Sequence, residues 1–327
     1  VALRDLERYV DSTIKPQDPA GVINDRKATL ANHTDYDNFR SPENDEDLAF
    51  WLRNMIVDHH YSISEASAGT GLSSEQITAA IERLKIVEPT ELPAGQVRVL
   101  PYPGGRHPRI GFRDGAIRPQ RETKLSLFLP WDPRAYVVAD LPEAIWWTQP
   151  DQRELLYLAH THIKTTWDKR GQSLEPTEWQ RTETGWNAVR RLPNGVEFGC
   201  VVEPQEHEVR MKLWIFNGSD EMLSGLVVQN CVMLASATGF DSMTSDNKLV
   251  RSPFVACHDA DKSHWIITGW QHCVRPWANP PCPCMHSDPQ FPDCPPGERQ
   301  QLTGIVAFYA GTDIDSELNR LAPMIAD

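Results

Sequence analysis

Two histidines at the end of an apolar stretch are the first candidates for chemistry. The segment Leu156–Asp168 begins with apolar residues and then presents His160 and His162 two positions apart. Residues two apart on a strand point to the same face, so both imidazoles would face one site. Asp168 is the next carboxylate along the chain, and His272 is a further candidate for acid–base support. We therefore predict the catalytic or metal-binding centre at this pair.

The histidine pair is compatible with three kinds of site. As metal ligands, two imidazoles supply part of the three or four protein ligands of a Zn²⁺ or Fe²⁺ site. As acid–base catalysts, they could move protons at a sugar carbon or hydroxyl near neutral pH. Alternatively, both rings are satisfied by hydrogen bonds at a sheet edge. Cupins use such a pair but place a Glu a few residues later, where this chain has Lys164, Thr165 and Thr166.

A second group of metal-ligand types lies in the proline-rich segment Trp277–Pro296. Its candidate ligands are Cys282, Cys284, His286 and Cys294. Zn²⁺ accepts three thiolates and an imidazole, although C-x-C is a less usual spacing than C-x₂-C. A disulfide, or free thiols buried in a proline-stiffened loop, are the alternatives. We expect the segment to be a rigid loop that forms a wall beside the site.

A cluster of basic residues distinguishes Val97–Lys124 in an otherwise acidic chain, because it contains seven cations and only Asp114 and Glu122 as anions. Arginine suits bidentate recognition of carboxylate or phosphate, and tryptophan offers a face for the CH groups of a sugar. The predicted substrate-binding residues are Arg109, Arg121, Lys124, Trp131, Arg275 and Trp277. The alternative is that the basic residues pair with the acidic N-terminal region across an interface.

The elements that must position these residues are mainly β. Val209–Phe216 alternates cleanly, with Val209, Met211, Leu213 and Ile215 on one face. The other predicted strands are 109–112, 125–129, 135–139, 155–162, 186–191, 196–203, 223–234, 265–271 and 304–309. Without a regular alternation of strands and helices, this pattern predicts a large antiparallel β-sandwich of about ten or more strands.

Helices are predicted mainly before the sandwich. Apolar residues recur at helical spacing after Glu46, and Ser62 with Glu65 and Ser73 with Gln76 form capping-box patterns. Two short helices around a glycine turn resemble a helix-turn-helix. The segment is acidic overall, however, so we expect a small structural bundle that does not bind DNA. The predicted organisation is an N-terminal arm over 1–45 with a short helix at Leu3–Ser12, a helical module over 46–96 and the sandwich over 97–327.

The segment Val209–Leu234, VRMKLWIFNGSDEMLSGLVVQNCVML, resembles the paired strands of galactose-mutarotase-like supersandwich domains. Those domains occur in sugar epimerases and as accessory domains of carbohydrate-active enzymes. The resemblance extends in style over Leu125–Tyr309 and carries no catalytic motif. It implies that a saccharide ligand should be considered.

Composition restricts the remaining function classes. The net charge of −13 argues against a general nucleic-acid or anionic-membrane binder. No apolar run approaches the ~20 residues that span a bilayer. No signal peptide is visible, and seven cysteines, an odd number, favour free thiols and a cytoplasmic location. The sequence contains no P-loop, G-x-G-x-x-G, G-x-S-x-G or H-E-x-x-H motif.

These observations favour an enzyme that acts on a saccharide or sugar-derived acid by hydrolase, lyase or epimerase chemistry. A non-catalytic saccharide-binding protein and a metal-dependent, cupin-like oxygenase are the alternatives. The expected cofactor is a divalent metal, Zn²⁺ or Fe²⁺, or none. The expected partner is a small saccharide or acidic ligand, with neither nucleic acid nor membrane, and the sequence does not predict the oligomeric state.

Overall fold

The computed structural model describes residues 39–87, 97–108, 111–112, 122–149, 152–159, 164–279 and 283–326. The helices are α1 (Asp45–Leu52), α2 (Ile63–Thr70), α3 (Ser74–Arg83), α4 (Thr166–Lys169) and α5 (Ile314–Leu321), with a π-helical turn over Arg53–Asp58 and a 3₁₀ turn over Ala322–Met324. The first strands are β1 (Val99–Pro101), β2 (Arg106–His107), β3 (Gly111–Phe112), β4 (Lys124–Leu129), β5 (Asp132–Thr148), β6 (Arg153–Leu158), β7 (Gln180–Arg181), β8 (Trp186–Arg191) and β9 (Glu197–Pro204). The later strands are β10 (Glu208–Phe216), β11 (Leu226–Met233), β12 (Lys248–Arg251), β13 (Phe254–His258), β14 (His264–Trp270), β15 (Cys273–Asn279), β16 (Cys284–Pro289) and β17 (Arg299–Ala310).

Two large antiparallel sheets form the body of the protein. The first sheet has the order β1-β4-β5-β11-β16-β15, with β6 paired to the far end of β5. The second has the order β12-β13-β14-β17-β10-β9-β8-β7. The predicted antiparallel β-sandwich with a small N-terminal helical region is therefore confirmed.

The main core lies between the two sheets, where alternate residues of each strand meet. The predicted face of β10 is confirmed, because Val209, Met211, Leu213 and Ile215 all belong to this core. The first sheet contributes residues such as Val137 on β5. On the outer side of the second sheet, helix α5 buries its apolar residues against a separate cluster. Both faces of the second sheet are thus covered over part of their area.

The helical region packs on the outer side of the first sheet. Both predicted capping boxes are present, and Gly71 ends α2 in the left-handed conformation that glycine adopts most easily. Arg106 pairs with Glu65 at 2.8 Å, and Arg98 pairs with Asp58. These two basic residues thus pair with carboxylates of the helical region. The predicted helix Leu3–Ser12 lies outside the described residues.

One prediction about the fold was wrong. The segment Trp277–Pro296 is not a loop throughout, because residues 277–279 belong to β15 and residues 284–289 to β16, and these two strands pair with each other. Proline is tolerated at Pro276 because β15 is the edge strand of the first sheet, where a missing N–H breaks fewer ladder bonds. Strand β16 lies between two neighbours, and all six of its residues are buried. Cys284 and His286 therefore lie on a paired strand of the sheet.

His59 links the helical region to the first sheet and provides a pH test. Its Nε2 lies 2.7 Å from Ser126 Oγ on β4, and its Nδ1 lies 2.8 Å from the Asn54 carbonyl. Burial lowers the pKa of His59 to about 3, mainly because desolvation disfavours the imidazolium. The unfolded chain binds a proton near pH 6.5 and the folded protein does not. The stability from neutral His59 is therefore complete above pH 6.5 and is lost as the pH falls towards 3.

We expect the stability advantage of the wild type over His59→Gln to shrink by about 2 kcal/mol between pH 7 and pH 5, because only the wild type carries this linkage. Chemical denaturation of both proteins at the two pH values measures the difference. His207→Gln is the control, because His207 is 66% exposed and should show no such change. An unchanged difference for His59→Gln would contradict the buried neutral imidazole.

Candidate functional site

Polar side chains from three neighbouring strands converge on the outer face of the first sheet. Residues two apart on a strand share a face, so Cys284, His286 and Asp288 project together from β16. Cys231 projects beside them from β11, and Glu143 comes from the irregular part of β5 where its register with β11 shifts. We call these five residues the His286 cluster. All five are buried.

His286 has polar neighbours at both of its ring nitrogens. Its Nε2 lies 3.4 Å from the Sγ of Cys284. Its Nδ1 is buried without a hydrogen-bond partner, and the nearest carboxylate oxygens are Glu143 Oε2 at 3.8 Å and Asp288 Oδ1 at 3.9 Å. The indole of Trp277 stacks on the imidazole at 3.9 Å with 9° between the rings. The Cys284 thiol therefore lies at the Nε2 edge of the imidazole, and the two carboxylates lie at its Nδ1 edge.

Hydrogen bonds from neighbouring strands hold the two carboxylates. Gln229 donates its Nε2 to Glu143 Oε2 at 2.7 Å. Trp277 donates its indole N–H to Asp288 Oδ2 at 2.7 Å, and the backbone N–H of Asn230 donates to Asp288 Oδ1 at 3.3 Å. The side-chain amide of Asn230 is buried with neither its Nδ2 nor its Oδ1 in a hydrogen bond. The Asn230 amide and His286 Nδ1 are therefore buried polar groups without a hydrogen bond.

Burial and neighbouring charges shift the titration of the cluster. Burial lowers the pKa of His286, but Cys231, Glu143 and Asp288 more than offset this cost and raise that pKa to about 9. Burial raises the pKa of Asp288 to about 6, although His286 opposes the rise. Burial and the neighbouring acidic groups thus act in opposite directions on the pKa of His286.

Lys124, one of the predicted substrate-binding residues, belongs to a buried ion pair on the first sheet. Lys124 on β4 lies directly across from Asp140 on β5, and its Nζ is 2.6 Å from Asp140 Oδ2. Both side chains are fully buried. Thr123 donates its hydroxyl to the other oxygen of Asp140 at 2.7 Å. Lys124, which we predicted to hold an anionic ligand, thus already has a protein carboxylate beside it.

Two residues predicted to support catalysis occupy structural positions outside the cluster. Asp168 is exposed and caps α4, where its Oδ2 accepts from the N–H and the hydroxyl of Thr165. His272 is exposed in the turn between β14 and β15. In the β15–β16 hairpin, Cys273 pairs with Pro289 at one end and Asn279 pairs with Cys284 at the other. His272 comes just before Cys273, at the end of the hairpin away from Cys284. Neither of these side chains is among the groups around His286.

The predicted binding residues divide between two places. Arg275 and Trp277 both belong to β15, and the Trp277 ring is the one that stacks on His286. The Arg275 guanidinium lies 4.3 Å from the centre of that ring. Trp131 lies elsewhere, against His264 and Phe308, and lines a cavity of about 610 Å³ with residues that include Glu206, His207 and Arg320. None of the residues that line that cavity belongs to the His286 cluster.

The predicted four-ligand zinc set is only partly assembled. Cys284 and His286 are adjacent, whereas Cys294 lies in the core between the sheets with its Sγ 3.3 Å from the Glu298 carbonyl. The structure instead places Cys231 next to the first two. The remaining site predictions, Cys282, Arg109, Arg121, His160 and His162, lie outside the described residues. They stay predictions.

Sequence reasoning missed three members of the cluster: Glu143, Cys231 and Asp288. Strand β11 offered one signal, because Gln229 and Asn230 interrupt a run of apolar residues just before Cys231. No local pattern could show that β11 lies beside β16, because more than fifty residues separate them in the chain. Glu143 was hidden because its strand contains Pro133 and Pro142, which break the expected pattern.

Comparisons with known proteins leave the family open. No family model matches the chain, and no curated protein matches it. Similar solved structures include the Slr1438 protein from Synechocystis sp. PCC 6803, with TM-score 0.34 and 11% identity over 68% of this chain and 97% of that chain. A polysaccharide lyase gives TM-score 0.40 and 9% identity over 68% of this chain and 34% of that chain. A protein described as an aldose 1-epimerase from Escherichia coli K12 gives TM-score 0.31 and 9% identity over 50% of this chain and 79% of that chain.

At such identities and TM-scores, these likenesses carry no argument about what this chain does. The functional argument therefore rests on its own residues. Across the residues that the structure describes, no helix is long and apolar enough to cross a membrane.

We expect Asp140→Asn to reduce the free energy of unfolding by about 3–5 kcal/mol, because it leaves the Lys124 ammonium buried without its partner. Urea denaturation measures the loss. Asp315→Asn is the control, because the Arg251–Asp315 pair is 51% and 66% exposed and should contribute no more than about 1 kcal/mol. Equal losses in the free energy of unfolding for the two substitutions would show that the buried pair stabilises the fold no more than the exposed pair does.

Proposed function

We propose that the protein is a carbohydrate-active enzyme that uses the Glu143 and Asp288 carboxyl groups for acid–base chemistry on a saccharide. The observation that carries this proposal is the unpaired Nδ1 of His286 between the two carboxyl groups. Most glycoside hydrolases use two carboxyl groups on one sugar, and epimerases and lyases need one group that removes a proton and one that returns it.

The two carboxyl groups lie close to one point in the structure. Glu143 Oε2 and Asp288 Oδ1 both lie within 3.9 Å of the same nitrogen, so they can address neighbouring atoms of one substrate. Both are supplied by strands of the sheet, and a separate donor, Gln229 or Trp277, fixes one oxygen of each. Groups fixed in this way need little reorganisation during a proton transfer.

The surroundings support two further roles. Arg275 lies beside Trp277 and is suited to the carboxylate of a sugar-derived acid, because guanidinium binds carboxylates through two parallel hydrogen bonds. His286 places a polar N–H position between the two reacting groups and would orient them.

Because the cluster is buried, a substrate must displace the groups packed over it, and the dry surroundings would then strengthen its polar contacts.

We expect Glu143→Gln and Asp288→Asn each to reduce turnover by roughly 10²–10⁴-fold, because each removes a proton-transferring group without changing its size. Screening the purified protein on neutral and uronic-acid oligosaccharides, with product detection by mass spectrometry, identifies the reaction. Mass alone separates hydrolysis, which adds water, from elimination, which adds none. Deuterium exchange from solvent into recovered sugar reports epimerisation.

Asp259→Asn is the matched control, because Asp259 also pairs with an imidazole, that of His264 at 2.9 Å, but outside the cluster. Its turnover should equal that of the wild type. If the wild type binds an oligosaccharide without converting it, the protein is a saccharide-binding protein and the catalytic proposal is wrong. Unchanged turnover in both Glu143→Gln and Asp288→Asn would show that the active site is not at the His286 cluster.

A further inference from the structure

The thiol side of His286 has a geometry that acid–base chemistry does not require. One potential donor atom from each of Cys231, Cys284 and His286 lies within 4.8 Å of the other two. All three side chains are at most 1% exposed. A tetrahedral zinc ion, with Zn–S near 2.3 Å and Zn–N near 2.0–2.1 Å, places its ligand atoms roughly 3.5–3.8 Å apart. The 3.4 Å between Cys284 Sγ and His286 Nε2 already matches such a ligand pair.

The sheet explains why the three donors meet. Cys284 and His286 are two apart on β16, so they share a face. The pairs Val232–Met285 and Met233–Cys284 place Cys231 of β11 beside them on that face. Donors on two adjacent, hydrogen-bonded strands are held more precisely than donors on a loop.

The other edge of the imidazole completes the pattern of a metal-bound histidine. A histidine that binds a metal through one nitrogen usually donates its other N–H to a carboxylate, which fixes the tautomer and the ring orientation. Here Nε2 faces the thiol while Nδ1 faces Glu143 and Asp288 and has no other partner. Trp277, stacked on the ring, prevents its rotation.

We propose that Cys231, Cys284 and His286 bind a zinc-type divalent ion, with Glu143 and Asp288 as acceptors for the Nδ1–H of the ligating ring. Two thiolates and one imidazole select a borderline-soft ion such as Zn²⁺ over Mg²⁺ or Ca²⁺. Three protein donors leave a fourth tetrahedral position for water or for a substrate oxygen, as in catalytic zinc sites. The metal ligands Cys231, Cys284 and His286 Nε2 are not the groups proposed for the saccharide chemistry, so metal binding can be tested separately from turnover.

Burial of a free cysteine alone would not support a metal site, since cysteine is often a small buried apolar residue. Cys257 shows that ordinary case: it is buried, and its Sγ faces the backbone carbonyl of Phe240 at 3.5 Å. What distinguishes Cys231 and Cys284 is the imidazole between them and the carboxyl groups. Cys257→Ser is therefore the matched control for substitutions in the proposed site.

The test is metal analysis of the full chain purified under reducing conditions, followed by removal of metal with a chelator and titration with Zn²⁺ or Co²⁺. We expect one Zn²⁺ per chain. We also expect a Co²⁺ spectrum with thiolate-to-metal charge-transfer bands and the strong visible bands of a tetrahedral site. The Co²⁺ spectrum is read on the wild-type protein, so it tests the site even if a cysteine variant fails to fold.

Cys231→Ser and Cys284→Ser should each weaken metal binding by more than the roughly 10–100-fold that loss of an outer carboxylate costs. Glu143→Gln should weaken it by that smaller factor and keep the thiolate bands. Cys257→Ser should bind as the wild type does. Absence of stoichiometric binding, a Co²⁺ spectrum without thiolate bands, or a Cys231–Cys284 disulfide in the reduced, purified protein would overturn the proposal. Metal binding without saccharide turnover would reject only the proposed function.

Discussion

Burial of polar groups on the outer face of the first sheet is the constraint on which the rest of this structure depends. A charge removed from water must be paired and hydrogen-bonded, or it costs several kcal/mol. Lys124 meets this requirement across the strand pair with Asp140, and Asp288 meets it through Trp277 and His286. Lys124 and Asp140 lie on neighbouring strands, and so do Trp277 and Asp288, so a slip of one residue in register would turn these groups to the opposite face. The polar face therefore helps to fix the pairing of the sheet as well as to form a site.

The same constraint divides the outer face into two parts. Under the helical region it is mostly apolar and aromatic, with His59 packed among Tyr102, Phe128 and Tyr136 and kept neutral. Towards β16 it becomes polar, and His286 Nδ1 remains without a hydrogen bond. The first part resembles an ordinary packing interface. The second part retains unsatisfied hydrogen-bonding capacity, which native structures rarely tolerate without a ligand, water or ion.

The sequence predicts those features that depend on local pattern. The alternation in β10 and the caps at Ser62 and Ser73 are local, and the structure confirms them. The hairpin of β15 and β16 was missed because prolines suggested a loop, whereas the edge position of β15 makes Pro276 acceptable. The grouping of Cys231 with His286 depends on which distant strands are neighbours, and no spacing within one segment contains that information. The histidine pair His160 and His162 lies outside the described residues, so its role stays a prediction.

The central claim is that His286 is the shared element of a site, with a soft metal at one edge and two carboxyl groups at the other. The most direct measurement is anomalous diffraction at the zinc absorption edge from crystals grown with Zn²⁺ under reducing conditions. The account predicts one strong peak within bonding distance of Cys231 Sγ, Cys284 Sγ and His286 Nε2, with the Nδ1 edge turned to Glu143 and Asp288. An electron-density map with no peak there and with the imidazole flipped to bond the carboxyl groups through both nitrogens would contradict it.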